Sequence, residues 1–321
     1  MIAATTPLRI PLGGGLTDLR PYAERFGGVT ISSTIGQAAY VTVLPPLEGR
    51  FEVHYAGGFE TAGRLDEIHH ALVREALRAS GMAATPVRVA VWVDVAGESG
   101  LGTSGAITVA VLHALAAYRG EPSDPERLAE TAARIEVEVL AGASGYHDPH
   151  VCARGGLLRI DYQGAQAHAR AVRIGADAKR AFERSLLLFA SGRQARTKPS
   201  LDLLSAQFEL ALPVLHEIKA VALELESALE AGDLERAARC IGAKQHLKMR
   251  LPGHFSDAFV EDVVARVEAT GAAAQVPGGK ISGYVLVCCP GGQHEAVREA
   301  LGALREVPFA LSEGGTRALR V

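Results

Sequence analysis

A glycine- and hydroxyl-rich segment that runs directly into a helix-forming segment is the feature that most constrains this chain. Residues 96–105 read Ala-Gly-Glu-Ser-Gly-Leu-Gly-Thr-Ser-Gly, and residues 106–112 read Ala-Ile-Thr-Val-Ala-Val-Leu. The first turn of a helix has backbone N–H groups without partners and a partial positive charge, so it can bind phosphate. No lysine follows the last glycine, which excludes the P-loop pattern G-x-x-x-x-G-K-S/T. Taken alone, the segment is also compatible with an ordinary turn.

Composition excludes several classes of protein. The chain has 321 residues, enough for two domains, with 48% hydrophobic and 21% charged residues and a net charge of −3. We therefore expect no broad basic surface for nucleic acid. There is no N-terminal signal pattern, and no apolar run reaches the roughly 18 residues that span a membrane, so we expect no membrane association and a cytoplasmic location.

The four cysteines, Cys152, Cys240, Cys288 and Cys289, have no C-x-x-C spacing. This spacing favours reduced, structural thiols. The adjacent pair lies in a strand-like run and is predicted to point to opposite faces.

Strand-like and helix-like segments alternate without a long parallel βαβ series, which predicts an α+β protein. Small and polar residues cluster near residues 165–185 and suggest a domain boundary there. Strands are predicted near 7–12, 29–44, 51–55, 87–95, 157–162, 186–190 and 281–289. Helices are predicted near 65–79, 105–118, 125–141, 200–230, 233–248, 256–270 and 293–303.

Three separated segments, 9–18, 97–105 and 277–283, combine glycines with charged or hydroxyl residues next to predicted strand or helix ends. Each could be a plain turn in a chain with 35 glycines. The combination with charged and hydroxyl side chains favours phosphate or sugar binding.

Taken together, these segments resemble the GHMP kinase family. Gly100–Ala106 is similar to the family's second motif, G-L-G-S-S-A, and Pro7–Leu19 is similar to the first motif of its sugar-phosphate branch. The resemblance implies an α+β, two-domain GHMP kinase fold. The N-terminal ATP-binding domain, 1–175, would resemble ribosomal protein S5 domain 2, and the C-terminal α+β domain would cover 176–321. It also implies ATP and Mg²⁺ as cofactors and a site between the domains.

The resemblance assigns roles to individual residues. Asp148 matches the catalytic aspartate, Arg9 would stand beside it, and Glu136 with Ser104 would hold Mg²⁺, Thr103 being the alternative hydroxyl. The expected nucleotide-binding residues are Gly97, Ser99, Gly100, Leu101, Gly102, Thr103, Ser104 and Gly105. The expected substrate-binding residues are Gly14, Gly15, Thr17, Asp18, Arg193, Arg196, Lys280, Ser282 and Gly283.

Several of these residues have other interpretations. Glu136 could lie with Glu138 on a solvated helix face, and Asp148, which precedes Pro149, could belong to a turn. Thr17 and Asp18 could cap the next helix, and Arg193 and Arg196 could be surface charges. His147, His150 and Cys152 could form a zinc site, although no second ligand cluster with clear spacing accompanies them.

The chain departs from the family at two places. Lys280-Ile281-Ser282-Gly283 passes directly into Tyr284, whereas the third motif of the family is a longer glycine-rich loop. Gly145-Tyr146-His147-Asp148 stands where the heptose branch has G-K-Q-D. The second departure weakens the assignment to heptose 7-phosphate in particular.

The function expected from the resemblance is an ATP-dependent sugar kinase that phosphorylates a hydroxyl of a small sugar or sugar phosphate. The first candidate is the anomeric hydroxyl of D-glycero-D-manno-heptose 7-phosphate, and a kinase of the fucose or galactose type is the alternative. A non-catalytic nucleotide or sugar sensor, or a hydrolase using His147 and His150, also remains open. The oligomeric state is open too, with a homodimer as one option.

Overall fold

Two mainly antiparallel sheets form the framework of this protein. The computed structural model describes residues 1–96, 99–142, 145–193, 197–253, 255–278 and 283–321. The strands are β1 Ile2–Gly14, β2 Gly28–Leu44, β3 Phe51–Tyr55, β4 Gly58–Ala62, β5 Arg88–Val93, β6 Leu157–Gln163, β7 Gln166–Ala171, β8 Leu186–Ala190, β9 Ala273–Gln275, β10 Tyr284–Cys288, β11 Arg305–Glu306, β12 Leu311–Ser312 and β13 Arg317–Arg320.

Helices cover both sheets, and together they confirm the predicted α+β class. They are α1 Arg20–Phe26, α2 Ala71–Ala79, α3 Thr103–Arg119, α4 Pro125–Arg134, α5 His147–Arg154, α6 Ala176–Arg184, α7 Thr197–Ala206, α8 Phe208–Ala231, α9 Leu234–Met249, α10 Ala258–Glu268 and α11 His294–Ala300. A 3₁₀ turn spans Leu65–Glu67, and a π-helical turn, Ile135–Val139, directly continues α4.

The larger sheet has nine strands and is organised by the long strand β2. Its main order is β13-β1-β2-β5-β3-β4, with β6 and β12 also paired to β2 and β7 paired to β6. The C-terminal half of β2 pairs with β5, from Ala39↔Val93, and its N-terminal half pairs with β6, from Gly28↔Tyr162. Only the β3–β5 pairing is parallel among the strand pairs described. Strand β1 therefore has β2 on one side, and Arg9 lies opposite Thr34.

Helix α3 is buried on nearly all faces, as the all-round apolar sequence predicts. Val109, Ala110 and Leu115 are fully buried. The helix begins after Gly102 and ends at Gly120, both in the left-handed conformation with φ of 75° and 73°. Glycine has no Cβ to oppose that conformation, so the sequence defines both ends of the helix.

The smaller sheet has the order β11-β8-β10-β9 and carries the adjacent cysteines at the end of β10. Cys288 packs in the core cluster that contains Leu8 and Leu286, whereas Cys289 packs with Val260 of α10. The predicted orientation to opposite faces is confirmed. All four cysteines are free and buried.

The chain returns to the larger sheet at its C-terminal end. Strand β12 pairs with β2, and β13 pairs with β1 from Ile2↔Arg320 to Thr5↔Arg317. The sequence predicts a last strand near the C-terminus, which β13 confirms, but not its pairing with β1. The division into 1–175 and 176–321 stays a prediction. Within the described ranges, no helix is both long enough and apolar enough to cross a membrane.

Candidate active site

The loop before α3 has a backbone that only glycine accommodates. Gly100 and Gly102 have φ of 80° and 75°, and a Cβ on Gly102 would lie 2.8 Å from Cγ of Arg9. The Ser99 hydroxyl accepts a hydrogen bond from the Leu101 N–H at 3.1 Å and lies 2.9 Å from the Thr103 hydroxyl. No side chain caps the N-terminus of α3 in the described structure. Its first-turn N–H groups are therefore available to an anion.

A buried ion pair lies beside this loop. Arg9 Nε donates to Asp148 Oδ1 at 2.8 Å, and Arg9 Nη2 lies 2.5 Å from the same oxygen. Arg9 Nη1 donates to the Gly100 carbonyl at 2.5 Å, which ties the pair to the loop. Burial alone would raise the pKa of Asp148, but the Arg9 charge and the hydrogen bond from His147 outweigh burial and hold this pKa well below its usual range. Asp148 is therefore a carboxylate.

His147 contacts the carboxylates of both Asp148 and Asp18. Its Nδ1 lies 3.2 Å from Asp148 Oδ1, its Nε2 lies 2.6 Å from the Ser32 hydroxyl, and its backbone N–H donates to Asp18 Oδ2 at 3.3 Å. Burial raises the pKa of Asp18, while the charge of His147 lowers it. His147 therefore connects the expected catalytic residue to the expected sugar-binding residue.

Glu136 lies in the π-helical turn and points inward. It is 6% exposed, whereas Glu138 is exposed, so the alternative of a solvated helix face is wrong for Glu136. Its pKa is raised to about 7, chiefly by burial and also by the Asp148 charge, while hydrogen bonds from the hydroxyls of Ser104 and Thr108 and the Arg9 charge oppose the rise. Its Oε1 has no hydrogen-bond partner in the described structure.

This donor set fits a hard divalent cation. A buried carboxylate with an unpaired oxygen beside the Ser104 hydroxyl offers the oxygen ligands that Mg²⁺ prefers, and Mg²⁺ usually keeps several waters. In the described residues, no group of three or more His, Cys, Asp or Glu side chains could hold a metal ion, His147, His150 and Cys152 included.

These residues surround a cleft of about 500 Å³. The predicted site residues that line the cleft are Arg9, Asp18, Ser99, Gly100, Gly102, Thr103, Ser104, Glu136 and Asp148.

Other predicted residues do not line the cleft but pack against the residues that do, or continue the same turns. A Cβ on Gly105 would lie 2.7 Å from Asp148 Cβ, and a Cβ on Gly14 would lie 1.9 Å from the Val29 carbonyl, so both permit close packing. Gly15 continues the left-handed turn with φ of 72°. Thr17 does not cap α1, because its hydroxyl donates to the Val29 carbonyl, and the helix has no side-chain cap. Leu101 accepts the Arg9 N–H at 3.0 Å.

Gly278 and Gly283 of the third glycine segment pack directly on residues 99–102, the loop before α3, which we call the first-turn loop. Gly278 is close enough that a Cβ would lie 3.0 Å from Gly100 Cα, and a Cβ on Gly283 would lie 2.4 Å from the Ser99 carbonyl. Because Arg9 also binds Gly100, the three separated glycine segments meet at one place. The predicted residues Gly97, Arg196, Lys280 and Ser282 lie outside the described residues.

Arg193 is placed differently from the prediction. Its Nη1 lies 3.1 Å from Asp257 Oδ2, and its guanidinium stacks 4.8 Å from the centre of the Phe259 ring. It is exposed and is not among the described residues that line the cleft. The surface-charge alternative fits this arrangement better, because Arg193 binds the start of α10.

Sequence reasoning missed two cationic residues in the cleft, Lys244 and Lys248 of α9. They continue the buried stripe of α9 that begins with Ala237 and Ile241. A lysine at a buried position of an amphipathic helix is costly unless it has a partner. The position of these two lysines on the apolar stripe was therefore the signal in the sequence that could have identified them.

Comparison with known proteins agrees with this geometry. Residues 67–156 match the profile of the GHMP kinases N terminal domain. Over 260 residues the chain is 24% identical to the D-glycero-alpha-D-manno-heptose 7-phosphate kinase of Campylobacter jejuni, and the match covers 75% of each protein. It is 31% identical over 137 residues to the mevalonate kinase of Methanothermobacter thermautotrophicus, covering 42% of this chain and 41% of that enzyme.

Among solved structures, a D-glycero-D-manno-heptose 1-phosphate kinase from Bacteroides thetaiotaomicron superimposes with a TM-score of 0.82 and 22% identity, covering 100% of this chain and 99% of that one. Residues 67–156 are therefore similar to the GHMP kinases N terminal domain, as the motifs predict, and the whole chain has the fold of the solved structure. The relatives it resembles include kinases of heptose phosphates.

Proposed function

We propose that this protein is an ATP- and Mg²⁺-dependent sugar kinase that phosphorylates the anomeric hydroxyl of D-glycero-D-manno-heptose 7-phosphate. The observation that carries the proposal is the buried Arg9–Asp148 pair, which lies in the same cleft as the uncapped N-terminus of α3 and the unpaired Glu136 oxygen. Phosphoryl transfer requires positioning and charge neutralisation more than covalent participation by the protein. These three features supply both.

The first-turn loop is the proposed phosphate-binding element for the nucleotide. The α3 amides and the hydroxyls of Thr103 and Ser104 would hold the β- and γ-phosphates, with the helix N-terminus contributing a partial positive charge. Glu136 and Ser104 would hold Mg²⁺, which neutralises phosphate charge when bound. The glycines allow the backbone to approach the phosphates closely.

Asp148 is the proposed partner of the attacking hydroxyl. The sugar oxygen forms a bond to the γ-phosphorus while the bond from that phosphorus to the ADP oxygen breaks, and the hydroxyl proton passes to an Asp148 oxygen. Because Arg9 and His147 hold Asp148 ionised, it is a weak base, so the proton moves as the new O–P bond forms. Arg9 would place a fixed positive charge beside the phosphoryl group while it is transferred.

Asp18 is the proposed sugar-binding residue on the acceptor side. It is buried, lines the cleft and is fixed by the His147 N–H at 3.3 Å. A carboxylate fixed in this way can accept hydrogen bonds from two sugar hydroxyls. The first motif, residues 7–19, and the similarity to heptose phosphate kinases support a heptose phosphate as the acceptor.

The test is ADP release from ATP and Mg²⁺ with a panel of sugars and sugar phosphates. We expect turnover with heptose 7-phosphate, and Asp148→Asn as the control that removes it. Faster turnover of unphosphorylated fucose or galactose than of heptose 7-phosphate would identify that sugar as the substrate instead. Absence of ADP release with every acceptor would refute the kinase proposal, and sugar-phosphate binding by calorimetry without turnover would identify a sensor instead.

A further inference from the structure

Two buried lysines of α9 line the cleft. Lys244 and Lys248 stand one turn apart on α9, are 7% and 2% exposed, and both line the cleft. Residues four apart on a helix lie on the same face, so the two ammonium groups act on one volume. Neither lysine has a role in the proposed phosphoryl transfer.

Neutral groups hold Lys244 in place. Its Nζ donates to Gln275 Oε1 at 3.0 Å, and Gln275 Nε2 donates in turn to the Pro11 carbonyl at 2.5 Å, which orients the amide oxygen toward the lysine. In the described part of the chain, no Asp or Glu oxygen lies within 4 Å of Lys244 Nζ. An ammonium group has three N–H donors, so two remain for a ligand.

Lys248 extends the positive charge toward the first-turn loop. Its Nζ donates to the carbonyls of Val276 at 2.7 Å and Gly278 at 3.0 Å. Gly278 packs on Gly100, so Lys248 connects α9 to the loop that precedes α3. Lys244 is therefore linked through Gln275 to Pro11 of β1, and Lys248 is linked through Gly278 to the first-turn loop.

Lys244 has no carboxylate partner in the described part of the chain. Burial, the Arg9 charge and, in the opposite sense, Asp18 together lower the pKa of Lys244 to about 7. Burial and the neighbouring Lys244 also lower the pKa of Lys248 well below its usual range. A protonated Lys244 beside a buried arginine is unfavourable until an anion enters, so a bound anion favours its charged form. The favoured anion carries two charges and several acceptor oxygens.

We propose that Lys244 and Lys248 form a subsite for a phosphate dianion in the cleft. Its substrate assignment rests on the proposed kinase function, because either the acceptor sugar or the nucleotide can supply such a group. The acceptor's own phosphate is the occupant that this geometry favours, since Lys244 lies near Asp18, the proposed sugar-binding residue, and the α3 amides serve the nucleotide. This subsite would take the phosphate-binding role that the sequence assigned to Arg193.

The first test measures inorganic phosphate binding to the full-length protein by calorimetry, without sugar. We expect Lys244→Met to weaken phosphate binding about 10- to 100-fold, the loss of a charge-assisted hydrogen bond, and Lys244→Arg to restore most of it. Lys219→Met is the matched control, because Lys219 also donates to two backbone carbonyls, those of Phe26 and Gly27, but does not line the cleft. Lys244→Gln replaces the Met variant if that variant does not fold.

The second test identifies the source of the phosphate. If the acceptor supplies it, Lys244→Met raises KM for the sugar phosphate about 10- to 100-fold and leaves KM for ATP unchanged. If the nucleotide supplies it, KM for ATP rises instead and a non-hydrolysable ATP analogue displaces inorganic phosphate. Wild-type phosphate affinity and wild-type KM values in a folded Lys244 variant would overturn the subsite. Phosphate binding that depends on Lys244 would stand even if no sugar were phosphorylated, so the two proposals fail separately.

Discussion

Replacing Glu136 by Gln is expected to stabilise the protein at alkaline pH while removing its activity. In the folded protein, burial raises the pKa of Glu136 from 4.5 to about 7. In the unfolded chain, the carboxyl group releases its proton near its ordinary pKa. Between these two values the unfolded state binds fewer protons than the folded state, so the free energy of unfolding falls as pH rises.

The magnitude follows from the size of the pKa shift. A shift from 4.5 to about 7 corresponds to about 3 kcal/mol of lost stability once pH exceeds both values. Part of this loss is already present at pH 5, because the unfolded carboxyl group is then mostly ionised. Between pH 5 and pH 8 the remaining loss is about 2 kcal/mol. Glutamine does not ionise, so Glu136→Gln should escape it.

The assay is urea unfolding of wild type and Glu136→Gln at pH 5 and pH 8, without Mg²⁺ or nucleotide. The stability difference between them should move in favour of the variant by about 2 kcal/mol at the higher pH, with unchanged urea slopes. Glu138→Gln is the matched control, because Glu138 is exposed on the same π-helical turn and should show no such change. An equal stability difference at both pH values would refute the reasoning that burial governs this carboxyl group.

Three further predictions concern the neighbouring side chains. Asp148→Asn should lower kcat about 10²- to 10⁴-fold while circular dichroism stays that of wild type; wild-type turnover would contradict its role as proton acceptor. Gly105→Ala should lower kcat/KM about 10- to 100-fold, because the added Cβ would lie 2.7 Å from Asp148 Cβ; Gly175→Ala, which meets nothing within 4 Å, should leave ADP release unchanged. His147→Gln should make Ser32→Ala nearly neutral, since the 2.6 Å contact between these residues is then absent; a double-mutant cycle by urea unfolding should give a coupling of about 1 kcal/mol, and strictly additive effects would exclude the contact.

Local motifs were the most predictable part of this protein. The glycines at 100 and 102 predict a tight turn before α3, and both adopt the left-handed conformation there. The all-round apolar pattern predicts a buried helix over 105–118, and the buried residues of α3 run from Gly105 to Leu115. The separation of Cys288 and Cys289 onto two cores follows from strand geometry alone. Each of these predictions depends on residues close together in the chain.

Predictions that depended on distant residues succeeded less evenly. A motif resemblance indicated Arg9 and Asp148, which lie 139 positions apart, and the structure brings them into contact. Arg193 had no comparable motif; it binds Asp257 and leaves the phosphate role to Lys244 and Lys248 in our proposal. The sequence could not reveal this exchange, because it depends on how α9 and the start of α10 are placed in space.

The amino-acid sequence by itself determined the ends of α3 and the glycine-rich first-turn loop, because backbone conformational preference and apolar periodicity act over a few residues, and its motifs carried the resemblance to the GHMP kinases. Only the tertiary structure decided which charges face the cleft. Burial gives Glu136 a carboxyl pKa of about 7, and packing places Lys244 against the neutral side chain of Gln275. The physical reason is that desolvation and charge pairing depend on distances that packing sets and that sequence spacing does not.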